Sequence, residues 1–427
     1  MGNFQILQTV LMMFPAILIA CHSFLQNFTA TTPEHHCRPT NWTNGSHVPD
    51  GVGDGDLLQV FIPLDKDQKP ERCLRFSEPH WQILNLNGTS SLSLDTEACL
   101  DGWVYDRTVG SSIVSEWDLV CEHKSLKSIA QSIYMTGQLV GATAFGIFSD
   151  RCGRKMALQS GTLLMIIMGT SAAFAPSFPA YCVLRFLSGV AMTGIIITSL
   201  CLAMEWTPTQ KRTLVNIYTM YMITLGQVVL TGLAYLIQQW RWLQGTVSVA
   251  YVIILLYSWY VVCQTYCAEL PCLVVRIHVQ EDTAAVKESP FFLDLFRTPG
   301  LCRITCCIAL GWFSTGFSFY GLGLDVQRFG FNIYWTQVLF TVVDIPTKLM
   351  TGLSMAYFGR RITTVSLLLV AGCTILVTAF LPQGNHSPLL QPVIFGLVPI
   401  VAAVAGSFLM ETNNQPLVNT IQETEKR

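Results

Sequence analysis

Apolar residues along this chain gather in runs of about 20, parted by short polar knots. A run of that length wound as a helix crosses a bilayer core of roughly 30 Å. The pattern predicts membrane helices near 8–28, 128–148, 156–176, 178–199, 214–237, 243–262, 302–324, 334–357, 362–381 and 389–409. That makes about ten transmembrane helices in an all-α membrane protein, interrupted by one large polar insert at 31–125.

Composition agrees with the pattern. Hydrophobic residues make up 51% of the 427, charged residues only 12%, and mean hydropathy is +0.45. An ordinary soluble domain is excluded. A net charge of −2 leaves no electrostatic footprint for nucleic acid. The first run lacks an Ala-x-Ala-like cleavage site and a basic lead, so it is expected to stay as a helix. Met1-Gly2 opens no myristoylation motif, because Ile6 stands where Ser or Thr is needed.

Charge in the short loops sets orientation. Arg151, Arg154, Lys155, Lys211, Arg212, Arg276, Lys287, Arg297, Arg303, Arg360 and Arg361 fall on one side. The sequons at Asn27, Asn41, Asn44, Asn87 and Asn385 fall on the other. The basic side is expected to be cytoplasmic, with both termini there. The expected divisions are a first helix at 1–30, an extracellular glycosylated loop at 31–125 and five helices at 126–262. A cytoplasmic loop at 263–300, a second helical half at 301–410 and a tail at 411–427 complete the chain. Cys37, Cys73, Cys99 and Cys121 lie in the extracellular insert and suggest two disulfides, with three connectivities open. His35-His36-Cys37 reads better as a disulfide cap with two histidines than as a metal site, and no metal-ligand spacing stands out.

The run Gly146-Ile147-Phe148-Ser149-Asp150-Arg151-Cys152-Gly153-Arg154-Lys155 separates two membrane spans and must be a tight turn. Gly146 and Gly153 permit close backbone approach, and Asp150 can pair with Arg151 or Arg154. A reduced copy, Gly359-Arg360-Arg361, follows a later span, which suggests a duplicated six-helix half. The first run resembles the loop between the second and third helices of major facilitator superfamily transporters. Cys21-His22-Ser23-Phe24-Leu25-Gln26-Asn27-Phe28-Thr29-Ala30, Asp101-Gly102-Trp103-Val104-Tyr105 and Glu116-Trp117-Asp118-Leu119-Val120-Cys121 resemble the organic anion transporters of solute carrier family 22. So do Arg185-Phe186-Leu187-Ser188-Gly189, Glu205-Trp206-Thr207-Pro208, Trp240-Arg241-Trp242-Leu243-Gln244, Phe319-Tyr320-Gly321-Leu322 and Val343-Asp344-Ile345-Pro346.

That resemblance implies a major facilitator-like helical bundle in the plasma membrane. It implies a polyspecific transporter of small organic anions, exchanging them for dicarboxylates by alternating access and needing no cofactor. Such transporters usually have twelve helices. Here span 362–381 runs through Pro382-Gln383-Gly384-Asn385-His386-Ser387 into a segment whose Glu411-Thr412 matches the family's Pro-Glu-Thr ending. The tenth and eleventh helices are therefore expected to be missing, and with them the arginine that serves as main anion counter-charge. A transport-inactive shortened form, retained or acting on a full-length partner, is the alternative. A membrane enzyme finds no support: no nucleophile–base constellation, phosphate loop or zinc spacing is visible.

Lys348 is the sharpest candidate for binding. A mid-span ammonium costs about 2.5–3.5 kcal/mol on insertion scales and normally faces a cavity or a partner. An anionic substrate is one partner, and the resemblance favours it. Asp344, four residues earlier, is the other. Pro346 between them is expected to distort the helix and spoil that pair. Trp312, Phe319, Tyr320 and Tyr221 are expected to give apolar area and a hydroxyl donor to an amphipathic anion. Met135 matches a pocket position by resemblance. Asp150, Arg151, Gly153, Arg154, Arg185, Arg360 and Arg361 are expected to gate rather than bind, with Arg185 paired to helix ends.

Overall fold

The computed structural model describes residues 3–38, 54–65, 69–77, 95–106, 110–207, 211–259, 299–325, 333–380, 390–409 and 411. It divides into a first unit, Met1–Val262, and a second, Cys263–Arg427. The sequons at Asn41, Asn44, Asn87 and Asn385, the loop 263–298 and the tail beyond 411 lie outside the described residues.

Within the described residues, every run read as a span is helical over most of its length. The first unit holds α1 (Asn3–Thr29), α2 (Asp54–Phe61), α3 (Ile113–Glu116), α4 (Lys124–Cys152), α5 (Arg154–Ala173), α6 (Phe178–Trp206), α7 (Arg212–Leu236) and α8 (Trp240–Val249). After a turn at Ala250, helix continues over 251–259. The second unit holds α9 (Pro299–Asp325), α10 (Ile333–Tyr357), α11 (Arg360–Phe380) and α12 (Leu390–Gly406). Among the described residues, seven helices are long and apolar enough to cross a membrane, and Val393–Gly406 is a shorter apolar one.

In the first unit, α4 and α5 pack on α6, while α1 packs on α6 and α7 and α8 lies against α5. Small residues let the backbones meet. A Cβ on Gly137 of α4 would stand 2.2 Å from the Phe186 carbonyl oxygen of α6, and one on Gly189 of α6 would stand 2.3 Å from that of Tyr134. This reciprocal contact is the small-residue crossing used where lipid offers no hydrophobic drive between helices. The core beneath it is apolar, with Met165, Met192, Ile195 and Tyr251 wholly buried.

The 31–125 insert carries two small antiparallel sheets. β1 (His35–Cys37) pairs with β4 (Trp103–Tyr105), and β2 (Leu74–Phe76) pairs with β3 (Thr96–Ala98). The four cysteines join as Cys37–Cys99 and Cys73–Cys121, with Cα separations of 5.2 and 5.6 Å. Arg75, largely buried, donates from Nε to Glu97 at 2.8 Å and from Nη1 to Asp101 at 2.5 Å, which ties the second sheet together.

One polar cluster fastens this insert to the helices. Trp240 Nε1 donates to Glu116 Oε2 at 2.7 Å, and the Arg241 guanidinium binds the same carboxylate. Arg241 also donates to the carbonyls of Ala173 at 2.6 Å and Ala175 at 3.0 Å, at the C-terminal end of α5. Last-turn helix carbonyls lack intrahelical donors, so a guanidinium there both caps the helix and meets the favourable end of its dipole. Trp117 packs edge-on against Trp240 and Phe178 and tilted on Tyr181, all within 6 Å between ring centroids. The Glu116-Trp117 and Trp240-Arg241 motifs, more than a hundred residues apart, thus form one structure.

Candidate functional site

The basic turn of the first unit is built from α4, α5 and α6. Gly153 ends α4 with φ of 89°, a conformation in which a side chain is strained, and starts α5 directly. Arg154 is thereby turned toward both neighbours. Its Nη1 lies 2.9 Å from Asp150 Oδ1 and 2.9 Å from Ser149 Oγ, and its Nε donates to Glu205 Oε1 at 3.2 Å. Glu205 comes from the end of α6 and was not among the sequence candidates. Arg151 remains exposed, so Asp150 takes Arg154 rather than Arg151 as its partner.

Arg185 does not join this cluster. It stands twenty residues before Glu205 on α6, about 30 Å away at 1.5 Å per residue. Nor is it paired to helix ends, as the sequence reading expected. Its Nη2 donates to Gln26 Oε1 of α1 at 2.9 Å, and its guanidinium carbon lies 4.5 Å from the ring centre of Tyr134 and 5.9 Å from that of Tyr181. The residue is wholly buried, and among the described residues Nε and Nη1 have no hydrogen-bond partner and no carboxylate bonds it. His22 Nδ1 and Gln131 Oε1 are also buried without a hydrogen-bond partner among the described residues. His22 Nε2 lies 3.2 Å from Ser248 Oγ. The interior of the first unit therefore holds a positive charge met by aromatic faces and one amide.

In the second unit, α10 carries Asp344 and Lys348. Pro346 stands inside the helix without breaking it, and Lys348 Nζ lies 2.6 Å from Asp344 Oδ2. The expectation that proline spoils this pair is corrected: residues at i and i+4 share a helix face, and the proline's missing N–H and ring act on the preceding turn rather than between the two side chains. Lys348 is thus ion-paired, whereas no carboxylate among the described residues bonds the buried Arg185.

The aromatic candidates stand on α7 and α9. Trp312 is 76% exposed and stands outside the ring cluster of α9, where Phe313 stacks on Phe317 at 5.6 Å and Phe317 packs on Phe395 of α12 at 4.9 Å. Tyr221 on α7 and Met135 on α4 are half-buried. Phe319 and Tyr320 fall within α9, their side chains outside the described residues. Asn27 lies in the last turns of α1, with Thr29 of its sequon buried.

The second basic turn repeats the first. Gly359, φ 90°, separates α10 from α11. Glu411 accepts from the backbone N–H of Arg360 at 2.9 Å and of Arg361 at 3.0 Å.

Two such turns within a bundle of apolar helices are matched by sequence comparison. The family model for the Major Facilitator Superfamily fits residues 122–424. Solute carrier family 22 member 20 of Mus musculus is 39% identical over 517 positions, covering 100% of this chain and 92% of the relative. The chain belongs to solute carrier family 22 of the major facilitator superfamily. It is a multi-pass membrane protein. Solute carrier family 22 member 6-B of Xenopus laevis is 35% identical over 516 positions, covering 100% of this chain and 93% of the relative. Organic anion transporter 3 of Oryctolagus cuniculus is 36% identical over 513 positions, covering 100% and 92%. The first alignment spans 517 positions against 427 residues here, so some 90 positions of that relative face a gap in this family member.

Proposed function

We propose that this chain carries amphipathic organic anions across the plasma membrane, in exchange for dicarboxylates, by alternating access. Its termini lie in the cytoplasm and the 31–125 insert outside, with glycans at Asn41, Asn44 and Asn87 and a further one at Asn385. The observation that carries the reading is Arg185: a fully buried cation without a bonded carboxylate, in a chain akin over its whole length to proteins named organic anion transporters. An uncompensated charge in a low-dielectric interior favours anions nearby and repels cations. Lys348 with Asp344 supplies a second charge that an entering carboxylate can compete for. Tyr221, Trp312, Phe319, Tyr320 and Met135 are the proposed apolar contacts to an aryl carboxylate. Asp150, Arg151, Gly153 and Arg154, with Arg360 and Arg361, are the proposed gate residues.

The test is uptake of radiolabelled p-aminohippurate into cells with measured surface expression, with preloaded dicarboxylate inside. Uptake accelerated by the preload supports exchange. Surface expression without uptake favours the second reading, a transport-inactive short form, for which the gap of some 90 positions speaks. Inserting a helix 10–11 pair from a relative between Gln383 and Pro388 then decides. Uptake well above the parent at equal surface amount assigns the defect to the missing pair. Equal uptake shows the pair to be dispensable.

A further inference from the structure

The two basic turns are closed by acids from helices that hold the same place in chain order. In the first unit α4, Gly153 and α5 lead into α6, whose end supplies Glu205. In the second, α10, Gly359 and α11 lead into α12, just past whose end stands Glu411. Packing follows this order in part: α6 lies on α5 and α1, and α12 on α11 and on α9, the first helix of its unit, whereas α4 packs on α6 with no comparable contact of α10 on α12 among the described residues. Yet the sequence around Glu411 resembles a last helix, and the relatives have residues that this chain lacks.

We infer that the last helix of this chain occupies the fourth place of the second repeat, and that Glu411 is the positioning residue that holds it against the Gly359 turn. This inference is independent of which anion, if any, the chain carries.

The chemistry at the contact is reciprocal. Gly359 offers α11 no side chain as a cap, so the first N–H groups of that helix lack acceptors. Both Glu411 oxygens fill that need, and the carboxylate sits at the positive end of the helix dipole. In return the Arg361 guanidinium donates to the carbonyl of Ser407, at the end of α12. A second contact lies further along. A Cβ on Gly372 of α11 would stand 2.8 Å from the Gly396 carbonyl oxygen of α12, and one on Gly396 would stand 3.0 Å from that of Gly372. Gly359 and Gly372 are thirteen residues apart, about 20 Å of helix. Two fixed points at that separation set both the tilt and the register of α12. A slide by one turn breaks both.

The first repeat solves the same problem differently. Glu205 bonds the Arg154 side chain, whereas Glu411 bonds backbone. The acid in the second unit therefore does not depend on the Arg360 side chain, whereas a Cβ at Gly359 would be strained at φ 90° and would stand 2.7 Å from Glu411 Oε2.

Cysteine cross-linking tests the placement. In the full chain, with the other second-unit thiols replaced by alanine, Val365→Cys and Gly406→Cys are combined; a Cβ at Gly406 stands 3.4 Å from Val365 Cγ2. A protease site within 383–387 lets the two helices be separated after oxidation. We expect the cleaved chain to stay joined until reduced. Glu411→Ala should slow joining about fivefold, the size of a lost helix cap, and Glu411→Gln, with one acceptor left, by less. Hydrogen exchange of the 359–364 amides should quicken in both variants and remain unchanged in Glu205→Gln. Failure of the parent pair to join overturns the placement. Equal joining and exchange in the Glu411→Gln and parent chains overturns the role of Glu411. Should Glu411→Ala not accumulate, the glutamine variant carries the same comparison.

Discussion

Lys348 and Asp344 form an ion pair of 2.6 Å across Pro346, on one face of α10. The pair keeps a charge of each sign half-buried in an apolar helix without the cost of either alone. It also leaves Lys348 able to exchange one carboxylate for another.

Removing one partner strands the other. We expect Lys348→Met and Asp344→Leu each to lower surface abundance, and the double variant to restore it. Uptake per surface molecule should stay lost in the double variant. Uptake restored along with abundance would make the pair structural and remove Lys348 from the binding site. Surface biotinylation run beside uptake separates the two.

Arg185 gives the opposite balance. Replacing a buried charge by an apolar side chain of similar volume is often neutral or stabilising. Arg185→Met should therefore melt in detergent at or above the parent temperature while losing anion uptake. Arg185→Lys should melt lower, because an ammonium cannot both reach Gln26 and lie flat on Tyr134. Undiminished uptake by Arg185→Met would show that its charge selects nothing.

Gly153 has φ of 89° and open space where a Cβ would be. The cost of Gly153→Ala is then backbone strain alone, about 1–2 kcal/mol. A thermal shift assay should show destabilisation of that order, with Gly146→Ala, in a helix and also unobstructed, stabilising by about 0.5–1 kcal/mol.

Asn27 sits in helix with its Thr29 buried, so an enzyme that needs the sequon extended and exposed cannot reach it. Asn27→Gln should leave the electrophoretic band in place. Combined Asn41, Asn44, Asn87 and Asn385 replacements should collapse it to the deglycosylated size.

Burial lowers the pKa of His35 from its usual 6.5; Arg72 and Lys124 add to this, and the Pro33 carbonyl opposes it. Its neutral form therefore contributes stability that is full above the unfolded value and is lost as pH falls below it. Reduction of the neighbouring Cys73–Cys121 bond, expressed per thiolate of the reductant, should quicken between pH 7.4 and 5.5, and His35→Gln should flatten that dependence. A rate that ignores pH in the parent would refute the link.

Sequence by itself settled what depends on neighbours along the chain. Helix positions follow from apolar runs, and each of the ten predicted spans is helical because burial of backbone polar groups in lipid leaves no other solution for such a run. The turns at Gly153 and Gly359 were legible for a similar reason: a cationic knot between two spans has few shapes open to it. Pairings between distant residues were not. Four cysteines allow three connectivities, and only the folded insert brings Cys37 to Cys99 and Cys73 to Cys121. Gln26 meets Arg185 across 159 residues, and Glu116 meets Arg241 across 125. No local pattern marks such partners, since their meeting depends on how whole helices cross. Glu411 is the clearest case: its sequence places it at the end of a last helix, while packing against α11 makes it the cap of another helix's first turn.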